Sequence, residues 1–253
     1  MKADTYRAVL RRLPPPEWDA YLLAESDLPG PRANLELLQV AADEGGEEGF
    51  RRWLALDATQ TPPETAREFL PACGAVGLGR LAAEGRRDVL ADLRRHAGDS
   101  RWRVREGVAM GLQRLGAANM RALIVEMRRW SRGSWLERRA AVAALCEPGL
   151  LRQAAHARAV LNVLDSITES IQAAPPASRR DSAFRVLRQA LGYGWSVAVV
   201  ALPQDGREQF ERWLGSADAD VRWIVRENLK KARLTRLDPA WVARCLAARP
   251  APG

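Results

Sequence analysis

Residues 99–116 read DSRWRVREGVAMGLQRLG. Val104, Val108 and Leu112 recur at i, i+4 and i+8, the spacing that gathers apolar side chains on one face of an α-helix. Asp99 stands just ahead of that stripe, where a carboxylate accepts hydrogen bonds from the exposed amides of a first turn. The opening octet returns at 220–227 as DVRWIVRE, so both copies share D-x-R-W-x-V-R-E. Val221, Val225 and Leu229 repeat the stripe, with Asp218 or Asp220 in the capping position. A motif copied along a chain marks a supersecondary unit that buries its apolar face by stacking on its neighbours.

Three stretches show the whole unit: LADLRRHAGDSRWRVREGVAMGLQRLG at 90–116, LIVEMRRWSRGSWLERRAAVAALCEPG at 123–149 and FERWLGSADADVRWIVRENLKKARL at 210–234. The first two superpose with Leu90 on Leu123, Trp102 on Trp135, Arg105 on Arg138 and Leu112 on Leu145. Each reads as helix, tight turn, helix. Elsewhere apolar residues also recur at helical spacing and no segment sustains strand alternation, which makes the chain all α. Punctuation by Pro, Gly and short polar residues predicts many short helices, including 64–84 interrupted at Pro71, 101–115, 135–146, 179–201 weakened at Gly192 and Gly194, and 218–233. Gly74, Gly77 and Gly79 lie inside an apolar helical run, where they serve close helix packing better than phosphate binding. Thr59 to Pro63 reads as a hinge and Ala173 to Ser178 as a loop within one domain.

Residues 99–116 resemble a HEAT repeat, whose second helix opens with Asp, continues with V-R and ends its apolar stripe in L-G. The likeness is specific at 99–116, good at 216–234 and fair at 131–146. It implies a right-handed α-solenoid of helical hairpins. On that reading residues 1–253 form one domain, with divergent helices at 1–85, recognisable repeats at 86–247 and a frayed tail at 248–253.

With 253 residues, 47% hydrophobic and a mean hydropathy of −0.28, the chain can bury a sizeable core. No stretch approaches the roughly 20 apolar residues of a membrane helix, and the opening MKADTYRAVLRRL lacks an apolar run with a cleavage site. The expected location is the cytoplasm, as a monomer without membrane contact. Cys73, Cys146 and Cys245 lie far apart in apolar segments, and His96 and His156 are the only histidines, so neither a disulfide framework nor a metal site is expected. No cofactor motif is present: there is no GxxxxGK, no HExxH and no dinucleotide fingerprint after a strand.

Charge is more informative. Lys and Arg number 39 against 31 Asp and Glu, a net charge of +8 with a pI near 10.2. A basic balance favours a polyanionic partner. Arg101 and Arg105 stand four apart, as do Arg222, Arg226 and Lys230, so each set projects from one helix face. Arg129, Arg138 and Arg139 crowd the middle repeat. Such a ridge serves as a phosphate-binding track or as an Arg–carboxylate ladder between repeats, because the arginine fork fits both partners. Of nine tryptophans, Trp102, Trp130, Trp135, Trp213 and Trp223 lie in or beside the clear repeats. Trp102 precedes Glu106 by one turn, and Trp223 precedes Glu227 by one turn. An indole face beside a carboxylate suits a cationic or π-rich ligand, while a packed indole bonded to a carboxylate is architecture.

More narrowly, residues 127–145 and 221–231 resemble the DNA-alkylation-repair group of HEAT-like proteins. That resemblance implies a surface that grips the DNA backbone, with some members excising N-alkylated purines. In those members a Trp, an Asp four residues on and a second Trp cradle the cationic nucleotide. Trp102 and Glu106 match the first pair with Glu in place of Asp. The place of the second Trp holds Glu227, with Trp223 nearby. Two functions follow as expectations: binding of DNA or another polyanion, extended in the stronger form to alkylpurine DNA glycosylase action through Trp102, Glu106, Trp223 and Glu227, or a non-enzymatic scaffold for an acidic protein segment.

Overall fold

The computed structural model describes residues 2–247; the tail expected to fray lies outside the described residues. Among them are fifteen α-helices, most joined by short turns with longer segments before α3 and α5, and no strand. No helix among the described residues is long and apolar enough to cross a membrane. The chain forms two compact units, divided after Asn119.

The first unit holds α1 (Lys2–Leu10), α2 (Trp18–Ala24), α3 (Leu35–Glu44), α4 (Glu47–Leu54), α5 (Phe69–Ala83), α6 (Val89–His96) and α7 (Trp102–Ala118). α5 is its axis. Every residue from Phe69 to Gly79 is buried, as an all-round apolar helix requires, with α3, α4, α6 and α7 packed about it. Pro71 does not interrupt it. The helix begins at Phe69, so Pro71 falls in the first turn, where its missing N–H has no intrahelical partner to lose.

The three glycines of α5 serve packing, as their setting suggested. A Cβ on Gly79 would stand 2.1 Å from Gly111 Cα and 2.4 Å from the Gly111 carbonyl oxygen on α7. One on Gly77 would enter the Phe50 ring of α4, and one on Gly74 would meet the Phe50 carbonyl at 2.6 Å. Gly107 and Gly111 press α7 onto the carbonyls of Ala72 and Ala75 in the same way. Val104, Val108 and Leu112 are fully buried beside that crossing. Each such side chain contributes about 1.5–3 kcal/mol through burial.

The second unit holds α8 (Met120–Trp130), α9 (Trp135–Leu145), α10 (Ala154–Gln172), α11 (Ser182–Ala201), α12 (Pro203–Glu211), α13 (Ala219–Leu229), α14 (Ala232–Leu237) and α15 (Pro239–Ala247). Here α11 is the axis, and Gly192 and Gly194 do not weaken it. Gly194 admits Val142 and Cys146 of the α9 hairpin, and Gly192 admits Trp223 and Glu227 of α13. Buried Asn228 adds a polar tie, accepting from the Ser196 N–H and donating to the Leu191 carbonyl, both at 2.8 Å. The expected helix 218–233 ends at Leu229 and restarts as α14.

The repeated octet does not occupy the same place twice. α7 begins at Trp102 and α9 at Trp135, in agreement with the pairing of those repeats, but α13 begins at Ala219, before its octet starts. DVRWIVRE therefore sits one turn deeper in its helix than DSRWRVRE. Local bonds confirm the register. The Asp99 side chain accepts from the Arg101 N–H at 2.8 Å, and the Ser216 hydroxyl accepts likewise from the Asp218 N–H at 3.2 Å. Arg105 and Arg222 both turn back to carbonyls just before their helices, Ser100 at 2.8 Å and Ala217 at 2.5 Å. In structure Glu106 thus corresponds to Trp223, and the stripe Val104, Val108, Leu112 corresponds to Val221, Val225, Leu229. Of the candidate caps, only Asp218 caps, accepting from the N–H groups of Asp220 and Val221 at 3.0 Å.

Cys73, Cys146 and Cys245 are buried hydrophobes. Burial pushes the Cys146 thiol up to about 12 and the Cys245 thiol up to about 11, which leaves both protonated. The Thr59–Pro63 segment, read as a hinge, is tied to Arg101, which donates to the Thr61 hydroxyl and, just ahead of the segment, to the Leu56 carbonyl at 2.8 Å.

Gly79 and Gly49 give opposite outcomes on substitution. Gly79→Ala forces α5 and α7 apart and lowers stability by about 1–3 kcal/mol. Gly49 lies in α4 with nothing within 4 Å of its Cβ position, so Gly49→Ala raises stability by up to about 1 kcal/mol. Urea unfolding of the two variants checks the contrast, and equal shifts would refute the crossing as described.

Candidate functional site

In the first unit a pocket of about 230 Å³ opens where the N-terminal turn of α7 meets the segment leading into α3. Leu38, Phe69, Ala72 and Met110 form its apolar wall, Pro31 and Ala33 roof it, and Trp102, Arg103 and Glu106 supply polar and aromatic groups. Leu35 and Trp102, 55% and 46% exposed, both stand at this one site. Large exposed apolar side chains gathered around a concavity mark a contact surface, whereas single ones need no explanation.

Arg103 assembles the pocket. It sits one turn before Gly107 on the face of α7 that is pressed against α5, so its guanidinium is buried. It donates to the Gly30 carbonyl at 2.7 Å, holding the roof segment to α7. Its Nε lies 3.5 Å from Oε2 of Glu68, a fully buried carboxylate that also accepts from the Glu64 N–H at 3.0 Å. The guanidinium lies 4.5 Å from the centre of the Trp102 ring. Glu68 balances the charge of Arg103, so the acidic Glu106 and the exposed Arg32 at the rim set the polarity of the opening.

The sequence pointed to Trp102 and Glu106 and missed Arg103, Arg32, Leu35, Phe69 and Met110. One signal was present. Arg103, Gly107 and Gly111 recur at i, i+4 and i+8, and two glycines at that spacing identify a face in close backbone contact, which places Arg103 in the interior. The walls from α3 and α5 carry no local signal.

The other expected site residues are placed differently. Arg101 is 2% exposed and forms a 2.6 Å ion pair with Asp99, so it is an internal strut rather than part of a ridge. Arg105 and Arg222 are turned to backbone carbonyls. Arg129 pairs with Glu126 at 3.1 Å, and Lys230 with Glu227 at 2.5 Å. Arg138 lies 4.5 Å from the Trp135 ring, which packs edge-on against Phe184, and burial pulls its guanidinium below the ordinary arginine value. Arg139 is half-buried, and Arg226 is exposed.

Trp223 is half-buried against Gly192 with Arg188 4.5 Å from its ring, and it belongs to the second unit together with Glu227. With the register shift, the residue equivalent to Trp102 is Ala219, so the two Trp–Glu pairs stand at different places in their helices. Trp130 and Trp213 are packed and donate to Glu126 and Asp165 at 2.9 and 3.0 Å, an architectural role. No family model matches the chain, and no curated protein or solved structure is similar to it at a significant level.

Asp99 supplies a pH signature. Burial alone would raise its pKa, but hydrogen bonds from the Arg101 side chain and backbone, with the Arg101 charge, hold it below the ordinary carboxylate value. A depressed folded value means that the pair's stabilisation is fully present above the unfolded pKa near 4 and is lost as pH falls through the folded value. Asp99→Asn should therefore lower stability at neutral pH and flatten its dependence on pH below about 4. Denaturant titrations at pH 7 and pH 3 measure this, and a loss of equal size at both would rule it out.

Proposed function

We propose that the protein is a HEAT-like helical-repeat binding protein that recognises a planar, cationic group in the Trp102 pocket, an N-alkylated purine presented by DNA being the ligand of that chemistry. The hairpins α6–α7 and α8–α9 support the solenoid reading of the fold. One observation carries the functional reading: Trp102 stands exposed at the mouth of an apolar pocket that also contains Glu106, one turn away. Arg103 already lies against the Trp102 ring with its charge balanced by Glu68, and the exposed part of the indole, with a carboxylate beside it, remains to attract a delocalised cation, while a base outside the stack exposes the flat apolar surface such walls accept. The volume suits one small ring system rather than a drug-sized ligand, for which about 300–1,000 Å³ is usual. Arg32 at the rim is placed for a phosphate, and the net charge of +8 draws the chain to polyanions.

Recognition, rather than excision, is the activity the site supports. Of the four groups expected to act together, Trp102 and Glu106 share the pocket of the first unit, while Trp223 and Glu227 belong to the second unit and Glu227 is engaged by Lys230. A second reading, a scaffold for a protein segment, is favoured by the arginines held internally, among them Arg51, which links Glu47 and Asp92 at 2.9 and 2.6 Å, and Arg114, which holds Asp43 at 2.6 Å.

Salt-titrated binding to duplex DNA with and without a single N-methylated purine tests the proposal. Affinity should fall steeply with salt and favour the methylated duplex, and Trp102→Ala should erase a preference of about tenfold. Glu106→Gln should reduce that preference while leaving the melting temperature unchanged. Equal affinity for both duplexes, or binding that is flat in salt, sinks the reading in favour of the scaffold. Release of free methylated base, abolished in Glu106→Gln, would add excision to recognition.

A further inference from the structure

The second unit carries an aromatic and cationic strip that the Trp102 pocket does not use. α11, α13 and α14 meet around Gly192, where a Cβ would stand 3.0 Å from the Trp223 ring and 3.2 Å from Glu227 Cβ. The next residue, Tyr193, is 45% exposed. Arg233 of α14 lies 4.4 Å from the centre of its ring and donates to its hydroxyl at 2.6 Å. Arg188 stacks on Trp223 at 4.5 Å. Two aromatic rings, each with a guanidinium laid on it, thus border one helix junction.

Charge along this strip is unbalanced. Asp220 answers Arg188 at 2.5 Å, and Glu227 answers Lys230 at 2.5 Å. Arg222, Arg226 and Arg233 have no carboxylate within ion-pair distance among the described residues. Arg222 and Arg226 are one turn apart on α13, and Arg226 is exposed. A half-exposed tyrosine ring that carries one guanidinium without a carboxylate partner, on a helix packed against the one that bears Arg226, combines the two requirements of a nucleic-acid strand, π-stacking for a base and positive charge for its phosphates.

We infer that this strip binds an unpaired nucleic-acid strand, with a base stacked on the exposed part of Tyr193 beside Arg233 and the backbone running over the exposed Arg226. A duplex keeps its base faces inside the stack and cannot use the ring. An acidic peptide would meet the cations but leave Tyr193 without a role. The inference shares a partner class with the proposed function but does not rest on the Trp102 pocket.

The test uses the full chain and a labelled oligothymidylate of about twenty nucleotides, which contains no cationic base, followed by fluorescence anisotropy over a range of salt. The strand should bind more tightly than a duplex of equal length. Tyr193→Ala should weaken it about tenfold without changing the melting temperature, and Tyr193→Phe should restore wild-type affinity, since it keeps the ring. Arg226→Gln should lower the salt slope by about 0.7. Trp102→Ala should leave oligothymidylate affinity unchanged, so failure of the pocket reading and failure of this one give different results. Absence of binding, wild-type affinity in Tyr193→Ala, a duplex bound as tightly as the strand, or displacement by polyglutamate at equal charge would each overturn it.

Discussion

The contact between the backbones of α5 and α7 governs the first unit. Gly79 and Gly111 meet with no room for a methyl group, and Gly107 lies 2.8 Å, measured from its Cβ position, from the Ala72 carbonyl. Contact at that distance fixes the rotation of α7 about its own axis as well as its position. Val104, Val108 and Leu112 then turn inward, and Trp102 and Glu106 emerge at the edge that faces Leu35 and Phe69. The pocket is a consequence of the crossing. Any residue larger than glycine at the contact would lift α7 away from the walls that complete it.

The crossing also explains why Arg103 is buried. It lies on the same face as the two glycines, one turn nearer the helix start, where α5 has given way to Glu68. A guanidinium in that interior costs several kcal/mol unless it is paired and hydrogen-bonded. Glu68 supplies the opposite charge at 3.5 Å and the Gly30 carbonyl a hydrogen bond, although Arg103 Nε and Glu68 Oε1 are left without hydrogen-bond partners, and the bond to Gly30 carries the segment 27–34 onto α7. One buried guanidinium therefore both pairs with Glu68 in the interior and holds the roof of the pocket.

Arginine has two uses in this chain that composition cannot distinguish. The fork that fits a phosphate fits a carboxylate or a pair of carbonyls equally well. Arg101, Arg105, Arg179 and Arg222 are turned inward in that manner; Arg179 alone holds the Ile171 and Ala174 carbonyls together with Asp218 and Asp220. Arg32 and Arg226 are left facing outward, and Arg233 is held on Tyr193 without a carboxylate partner. The net charge of +8 is a property of the whole chain and draws polyanions at long range. Which cations touch a partner is a matter of the few that folding leaves uncommitted.

Helical periodicity determined by itself that the chain is all α, that Val104, Val108 and Leu112 face the core, and that Gly74, Gly77 and Gly79 serve packing. These are local facts, set by which side chains share a helix face and by the absence of a Cβ. Identity of letters in the octet D-x-R-W-x-V-R-E does not fix where a helix begins: Asp218 caps α13 two residues before its copy of the octet, whereas α7 starts inside its own, so the copies differ by one turn. Trp102 and Trp223 consequently have different surroundings. Only the tertiary structure decided that Trp102 and Glu106 share a pocket with Leu35, Phe69 and Met110, that Arg101 and Arg103 are interior, and that Tyr193 meets Arg233. Those juxtapositions join residues distant in the chain, and they depend on how closely two backbones approach, a quantity set by packing between helices and not written in the periodicity of either one.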